Sequence, residues 1–350
     1  MTKHNFSAGP SILPKEVFDG SANAIVQYQN SGLSIIEMSH RSPEVGLIIE
    51  EAKSLVIDLL ELKSDEYEVL FLQGGASLQF YMSAMNFSQN NGTGGYIDTG
   101  TWSKKAIKES EKIGNTLIVA SSKDKNYSYI PKNINIPNGL DYLHFTSNNT
   151  IYGTQFHSFE ELLEKPQNTK LICDMSSDIF SRKIEINNFD LIYAGAQKNI
   201  GTAGTTLIII KKDSVAKNTN LPTYLDYITH IKKDSMFNTP PVFSIYVSML
   251  TLKWIQENGG INFIEQRNKE KSDIIYAEID RNPLFLGIVN KNDRSIMNAT
   301  FTLKDDSLKE KFDTMCYEAG IIGINGHRSV GGYRASMYNA LEIESVKILV

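Results

Sequence analysis

A lysine amine held in a low-dielectric site gives up its proton and becomes a nucleophile toward a carbonyl carbon. Lys198 lies in Tyr193-Ala194-Gly195-Ala196-Gln197-Lys198-Asn199-Ile200-Gly201. There an apolar run ends, small residues follow, and the lysine emerges just past a predicted strand's carboxyl end. Small neighbours let a flat ring approach the backbone. Taken alone, a lysine on a loop reads as a solvated charge. Asp174 closes another apolar run, Leu171-Ile172-Cys173-Asp174. A carboxylate there can keep a proton on a pyridine nitrogen, which turns such a ring into an electron sink. By itself Asp174 reads better as a cap, helped by Ser176 and Ser177.

Four further groups can hold anions or a ring. Gly74-Gly75-Ala76-Ser77 follows an apolar run and precedes a helical pattern. Free N–H groups at a helix start, with a serine hydroxyl, form a phosphate receptor, although an ordinary tight turn looks the same. Trp102, after Gly100-Thr101, offers an indole for stacking on a ring, or a core or interface residue. Gly326-His327-Arg328-Ser329-Val330-Gly331-Gly332-Tyr333-Arg334 sets two arginines and a histidine among glycines. Arginine grips carboxylate or phosphate in a planar fork, and the glycines allow close backbone approach. Ser39-His40-Arg41-Ser42 is a second cationic pair, and Ser42-Pro43-Glu44 also has the form of a helix start. Each group has a purely structural reading. Together they supply what Schiff-base chemistry on an anionic substrate requires.

The elements that must position these residues follow from periodicity. Helices are predicted over 14–28 and from Pro43, where Ile48, Ile49, Ala52, Leu55, Val56 and Leu59 share one face. Short buried strands are predicted over 67–72, 116–120, 141–145, 170–173, 191–194 and 205–210, and a helix over 78–87. Such a series implies an α/β fold with a mostly parallel central sheet, whose ligands sit beyond the strands' carboxyl ends. After Pro240-Pro241, helices are predicted over 242–256 and 261–279, stopped between them by Asn258-Gly259-Gly260. Strands over 298–303 and 333–338, with helices over 308–319 and from Leu341, imply a smaller α+β C-terminal domain. The division expected is 15–257 for the large domain, with 1–14 and 258–350 forming the small one.

At 350 residues the chain exceeds what one core organises, and 41% hydrophobic with 21% charged residues is ordinary for a globular protein. A formal charge of −5 argues against nucleic acid as a partner. The two cysteines, Cys173 and Cys316, have no C-x-x-C spacing, so neither a disulfide framework nor a metal site is expected. The sequence shows no signal core and no apolar run long enough to span a membrane, so a cytoplasmic protein without a membrane partner is expected.

The sequence closely resembles the phosphoserine aminotransferase family of fold-type I pyridoxal-phosphate enzymes. The resemblance runs nearly end to end. It is carried by Asn5-Phe6-Ser7-Ala8-Gly9-Pro10, Ser39-His40-Arg41, Ala194-Gly195-Ala196-Gln197-Lys198-Asn199, Ser235-Met236-Phe237-Asn238-Thr239-Pro240-Pro241, and Gly326-His327-Arg328 through Arg334-Ala335-Ser336. It implies pyridoxal 5'-phosphate as cofactor, with Lys198 as the Schiff-base lysine and proton shuttle, Asp174 on the ring nitrogen and Trp102 stacked on the ring. Ala76, Ser77 and Gln197 would hold the cofactor phosphate, and Thr150 would bond near the ring oxygen. Asn238 and Thr239 would reach that phosphate from the other subunit of a homodimer with shared active sites. Arg334 would bind the substrate α-carboxylate. His327 and Arg328, with His40 and Arg41 of the other subunit, would bind the distal phosphate or carboxylate.

The implied reaction is a ping-pong transfer from L-glutamate to 3-phosphohydroxypyruvate in serine biosynthesis. Some members also act on a phosphorylated 2-oxo-hydroxybutanoate in pyridoxine biosynthesis. Two departures stand out: the glycine loop reads Ala76-Ser77 where some members carry arginine, and the family pattern runs about one helix further. Two other readings remain at this level. One is another fold-type I aminotransferase, against which the doubled His-Arg pairs argue. The other is a non-catalytic binder of phosphorylated metabolites, which would make Lys198 incidental.

Overall fold

The computed structural model describes residues 3–215 and 220–350. Its centre is a seven-stranded sheet of β1 (Tyr67–Leu72), β2 (Thr93–Asp98), β3 (Asn115–Ser121), β4 (Tyr142–Thr146), β5 (Lys170–Asp174), β6 (Leu191–Gly195) and β7 (Thr206–Lys211). The spatial order is β1-β7-β6-β5-β4-β2-β3. Neighbours are parallel except β7, which runs against both β6 and β1. The inner strands read as unbroken apolar runs because both faces are covered. Leu171, Cys173, Ile192, Ala194 and Ile209 point into one core, and Ile172, Leu191, Tyr193, Ile208 and Ile210 into the other.

Helices α1 (Lys15–Val26), α2 (Pro43–Leu59), α3 (Gly75–Phe87), α4 (Thr101–Ser110) and α5 (Val242–Glu257) supply those covers. Helix α2 begins as its sequence suggests, with Pro43 in the first turn and Ser42 Oγ accepting from the Val45 N–H. It buries Val45, Ile48, Ile49, Ala52, Leu55 and Val56 beside α5. Each larger aliphatic side chain taken from water contributes roughly 1.5–3 kcal/mol before the entropy cost. The α3 and α4 helices cover the opposite face through Phe80, Met82, Ala84, Phe87, Ala106 and Ile107.

Elements that differ from the periodic reading include α3 and β2. The α3 helix starts at Gly75 rather than near Leu78, because Gly74 takes a left-handed φ of 91° and lets the chain leave β1 directly into a helical turn. Strand β2 carries Gly94-Gly95, a pair that in sequence looks like a turn. A Cβ on Gly94 would overlap the Tyr142 ring, and one on Gly95 would collide with Leu140. The glycines make room for Tyr142, whose hydroxyl lies 2.9 Å from that of Tyr96 and 3.1 Å from Ser110 Oγ.

The second core lies around an antiparallel sheet of β8 (Phe285–Gly287), β9 (Asn298–Leu303) and β10 (Tyr333–Ser336), in that order. It packs with α6 (Gly260–Arg281), α7 (Lys309–Glu318) and α8 (Ile343–Leu349). The N-terminal segment belongs to it as well: His4–Asn5 pairs in parallel with Ile321–Ile322, and Phe6 is fully buried in this cluster. Helix α6 touches both cores, with Ile264 in the first and Ile275 and Ile279 in the second. Among the described residues no helix is long and apolar enough to cross a membrane.

Gly94→Ala should lower the denaturant midpoint by an amount equivalent to about 1–3 kcal/mol, the usual cost of overpacking. A midpoint unchanged from the parent protein would show that the Tyr142 ring moves aside freely.

Candidate active site

The chemistry-bearing residues collect at one edge of the large sheet, past the carboxyl ends of its parallel strands. Asp174 is the last residue of β5, and Lys198 lies three residues past the end of the adjacent β6. Thr150 follows β4, the Gly74 turn follows β1, and Trp102 stands in the first turn of α4 after β2. These strands all run in the same direction across the sheet, so their carboxyl ends deliver all five to one edge.

Lys198 is buried, and its Nζ donates to Thr150 Oγ1 at 2.9 Å. The ammonium also sits 5.6 Å from the centroid of the Trp102 ring. Burial pulls its pKa down to about 8; the Asp174 carboxylate opposes this and Arg334 adds to it. The loop is clamped from outside by the N-terminal segment. The Ser11 N–H donates to the Gln197 carbonyl at 3.0 Å, and its hydroxyl donates to the Lys198 carbonyl.

Asp174 is almost fully buried, and burial raises its carboxyl pKa against the pull of Lys198. Its Oδ1 accepts from Ser176 Oγ at 2.6 Å and from the Ser176 N–H at 3.0 Å. Ser176 Oγ in turn accepts from the Gly195 N–H at 3.1 Å, tying the end of β5 to the end of β6. Oδ2 receives no donor from the described residues. In sequence Ser176 reads only as a capping aid. The Asp-x-Ser spacing was the available signal, since it lets both the N–H and the hydroxyl reach one carboxylate oxygen.

The first N–H groups of α3, at Gly75, Ala76 and Ser77, precede any intrahelical acceptor and face the site. Asn238 lies beside the residue that leads into this turn. Its Nδ2 donates to Gln73 Oε1 at 2.8 Å, one residue before the glycine turn, and Gln73 Nε2 reaches the Thr239 carbonyl at 3.5 Å. Trp102 Nε1 is buried without a partner among the described residues.

Arg334 reaches the same place from β10. Its Nη1 donates to the Thr150 carbonyl at 3.3 Å, while its Nε is buried without a partner among the described residues. A buried polar seam holds the two sheets in this relation. Asn148 Nδ2 donates to Asn298 Oδ1 at 2.7 Å, Asn298 Nδ2 to Ser336 Oγ at 3.0 Å, and the Tyr338 hydroxyl to the Ala8 carbonyl at 2.9 Å. His327 and Arg328 are exposed on the loop before β10, with His327 Nδ1 2.8 Å from Ser329 Oγ. Burial, Arg334, Arg328 and Lys105 together lower the His327 pKa. His40 is half-buried and Arg41 exposed; within this chain neither side chain bonds to the Lys198 group. Cys173 lies in the large core and Cys316 in the small one, away from this chemistry.

The aminotransferase class-V family matches residues 3–349. A phosphoserine aminotransferase of Flavobacterium psychrophilum is 56% identical over 351 residues, covering 100% of this chain and 97% of the relative. One from Parabacteroides distasonis is 50% identical over 353 residues, with the same coverage. Among solved structures, the phosphoserine aminotransferase of Bacillus circulans subsp. alkalophilus superposes with a TM-score of 0.95 at 44% identity, covering 99% of this chain and 96% of that one. The pyridoxal-phosphate-bound enzyme of Trichomonas vaginalis superposes at 0.92 and 35% identity, covering 99% and 98%. Fold and site define a class-V, pyridoxal-phosphate-dependent transaminase. Within that class, the chain belongs to the phosphoserine aminotransferase family.

The donor set fits the cofactor. A buried amine is available for its aldehyde, a carboxylate oxygen without a donor for its ring nitrogen, an indole for its ring and three helix-start amides for its phosphate.

The Asp174 carboxylate favours the charged form of Lys198, so removing it must lower the lysine pKa. Asp174→Asn should shift the pH midpoint of pyridoxal-phosphate loading by the cofactor-stripped protein downward from about 8. A midpoint that stays or rises would mean that Asp174 does not act on Lys198.

Proposed function

We propose that this chain transfers the amino group of L-glutamate to 3-phosphohydroxypyruvate, giving 2-oxoglutarate and O-phospho-L-serine in two alternating half-reactions. The carrying observation is a buried amine–carboxylate pair beside an arginine from the second sheet and an exposed His-Arg pair, the receptor set for a substrate with two anionic ends. When bound, pyridoxal phosphate supplies an aldehyde for the amino group and a ring that withdraws electrons from the substrate Cα. Lys198 provides the amine that holds it and then moves the proton at Cα, which its lowered pKa suits. Asp174 would keep positive charge on the ring nitrogen, and Trp102 would lie against the ring. Thr150 would bond near the ring oxygen, and Ala76, Ser77 and Gln197 would hold the phosphate.

Arg334 grips the α-carboxylate common to both amino acids, while His327 and Arg328 take the distal phosphate or carboxylate. A phosphorylated 2-oxo-hydroxybutanoate carries the same two anions and is a second substrate of this reading. The working unit is a homodimer in the cytoplasm. Phe18, Val26, Leu33, Ile36 and Leu47, in the stretch of chain on either side of His40 and Arg41, are exposed apolar side chains, the composition of an interface. Across it, His40 and Arg41 complete the distal site of the second copy, and Asn238 and Thr239 reach its cofactor phosphate. Residues 15–257 form the cofactor domain, and 1–14 with 258–350 the domain carrying Arg334.

Protein with pyridoxal phosphate should show a visible absorbance band that Lys198→Ala lacks. O-phosphoserine should convert that band far faster than L-alanine does. Absorbance indifferent to O-phosphoserine would end the substrate reading, and a colourless parent protein would favour a non-catalytic phosphometabolite binder. Arg334→Ala should raise KM for both amino acids by the equivalent of about 2–5 kcal/mol, since both present the same carboxylate. An effect confined to one of them would remove Arg334 from that role.

A further inference from the structure

Lys105 stands one helical turn after Trp102 on α4, so the two side chains share a face. Its Nζ lies 4.6 Å from the centroid of the Trp102 ring, the same ring that Lys198 Nζ approaches to 5.6 Å. One indole is therefore flanked by the reactive amine and by a second ammonium. Lys105 is exposed and forms no ion pair among the described residues. Glu109, the acid one turn further along α4, is bound by Lys112 at 2.7 and 2.8 Å.

The other cations nearby are equally uncompensated. His327, Arg328 and Arg334 also lack a carboxylate partner among the described residues. Lys105 is close enough to His327 for its charge, with those of Arg334 and Arg328, to oppose protonation of the imidazole. Three cations, two from the β10 side and one from α4, thus lie near enough to the His327 imidazole to act on it. Like charges gathered without an acid repel one another, and an anion between them relieves that cost. The indole holds the Lys105 ammonium by a cation–π contact, a tether weaker than a charge-assisted bond to phosphate.

We propose that Lys105 is a specificity residue of the distal-anion subsite, binding the substrate's phosphate or distal carboxylate from the α4 side, across from His327 and Arg328. The inference rests on the proposed two-anion substrate and deepens it. A phosphate monoester carries about −1.5 to −2 charges at pH 7 and a carboxylate one, so Lys105 favours O-phosphoserine over glutamate. It acts on binding of the substrate's far end and leaves the bond changes at Cα to Lys198.

The test uses holoenzyme and compares the parent with Lys105→Gln and Lys105→Arg. The half-reactions with O-phosphoserine, L-glutamate and L-alanine are followed by the visible absorbance. Lys105→Gln should lower the O-phosphoserine-to-alanine ratio of second-order rate constants about fivefold or more. The glutamate-to-alanine ratio should fall less, the loss should appear in KM, and Lys105→Arg should restore the preference. A uniform fall for all three amino acids, or ratios equal to those of the parent, would overturn the assignment. If the parent protein reacts with glutamate but not with O-phosphoserine, the proposed reaction fails separately. The glutamate-to-alanine ratio of Lys105→Gln then decides the role of Lys105.

Discussion

Keeping one amine out of water is the constraint on which this site depends. Burial costs a lysine its charge, and at Lys198 that cost is only partly offset by the Asp174 carboxylate, leaving the amine with a pKa of about 8. Lys271 shows the other way of burying a lysine. It is fully enclosed, and its Nζ donates to the carbonyls of Met337 and Tyr338 at 3.1 and 2.8 Å. Those bonds commit it to holding the chain just after β10. Lys198 has one hydroxyl partner, Thr150, and its ammonium lies near an indole, so it remains available to a carbonyl compound.

The two sheets divide the work according to what their geometry permits. Parallel strands bring Lys198, Asp174, Thr150 and the α3 start to one edge, where short reaches suffice for covalent and electrostatic chemistry. The antiparallel sheet adds Arg334, which spans from β10 to the Thr150 carbonyl. Its aim depends on the seam of Asn148, Asn298, Ser336 and Tyr338, a buried hydrogen-bond set that fixes one sheet against the other. Ser176 plays a similar part within the large sheet, joining the Asp174 carboxylate to the backbone of β6.

Much of the fold was legible because burial on both sheet faces writes itself as unbroken apolar runs, and the α2 face as a helical repeat. Strand β2 was not, since its Gly94-Gly95 pair carries no apolar pattern and owes its place to the Tyr142 ring beside it. Helix α4 also escaped, because its Thr-Trp-Ser-Lys-Lys start has little apolar periodicity and its buried residues, Ser103, Ala106, Ile107 and Ser110, are half of them serines. Of the site residues, Lys198 and Asp174 were visible as polar residues ending apolar strands. Lys105 was not, since one lysine in a charged helix looks like any other until the fold sets it over Trp102.

By itself the sequence determined the layered α/β class, the edge where chemistry must lie and the residue types that carry it, because these follow from local periodicity and from where polar residues interrupt apolar runs. Tertiary structure alone decided the rest. It set how deeply Lys198 is buried, which oxygen of Asp174 Ser176 occupies, and that Arg334 and Lys105, 229 residues apart in the chain, both bear on the His327 imidazole. Desolvation and charge proximity depend on distances through space, and no local pattern of residues encodes them.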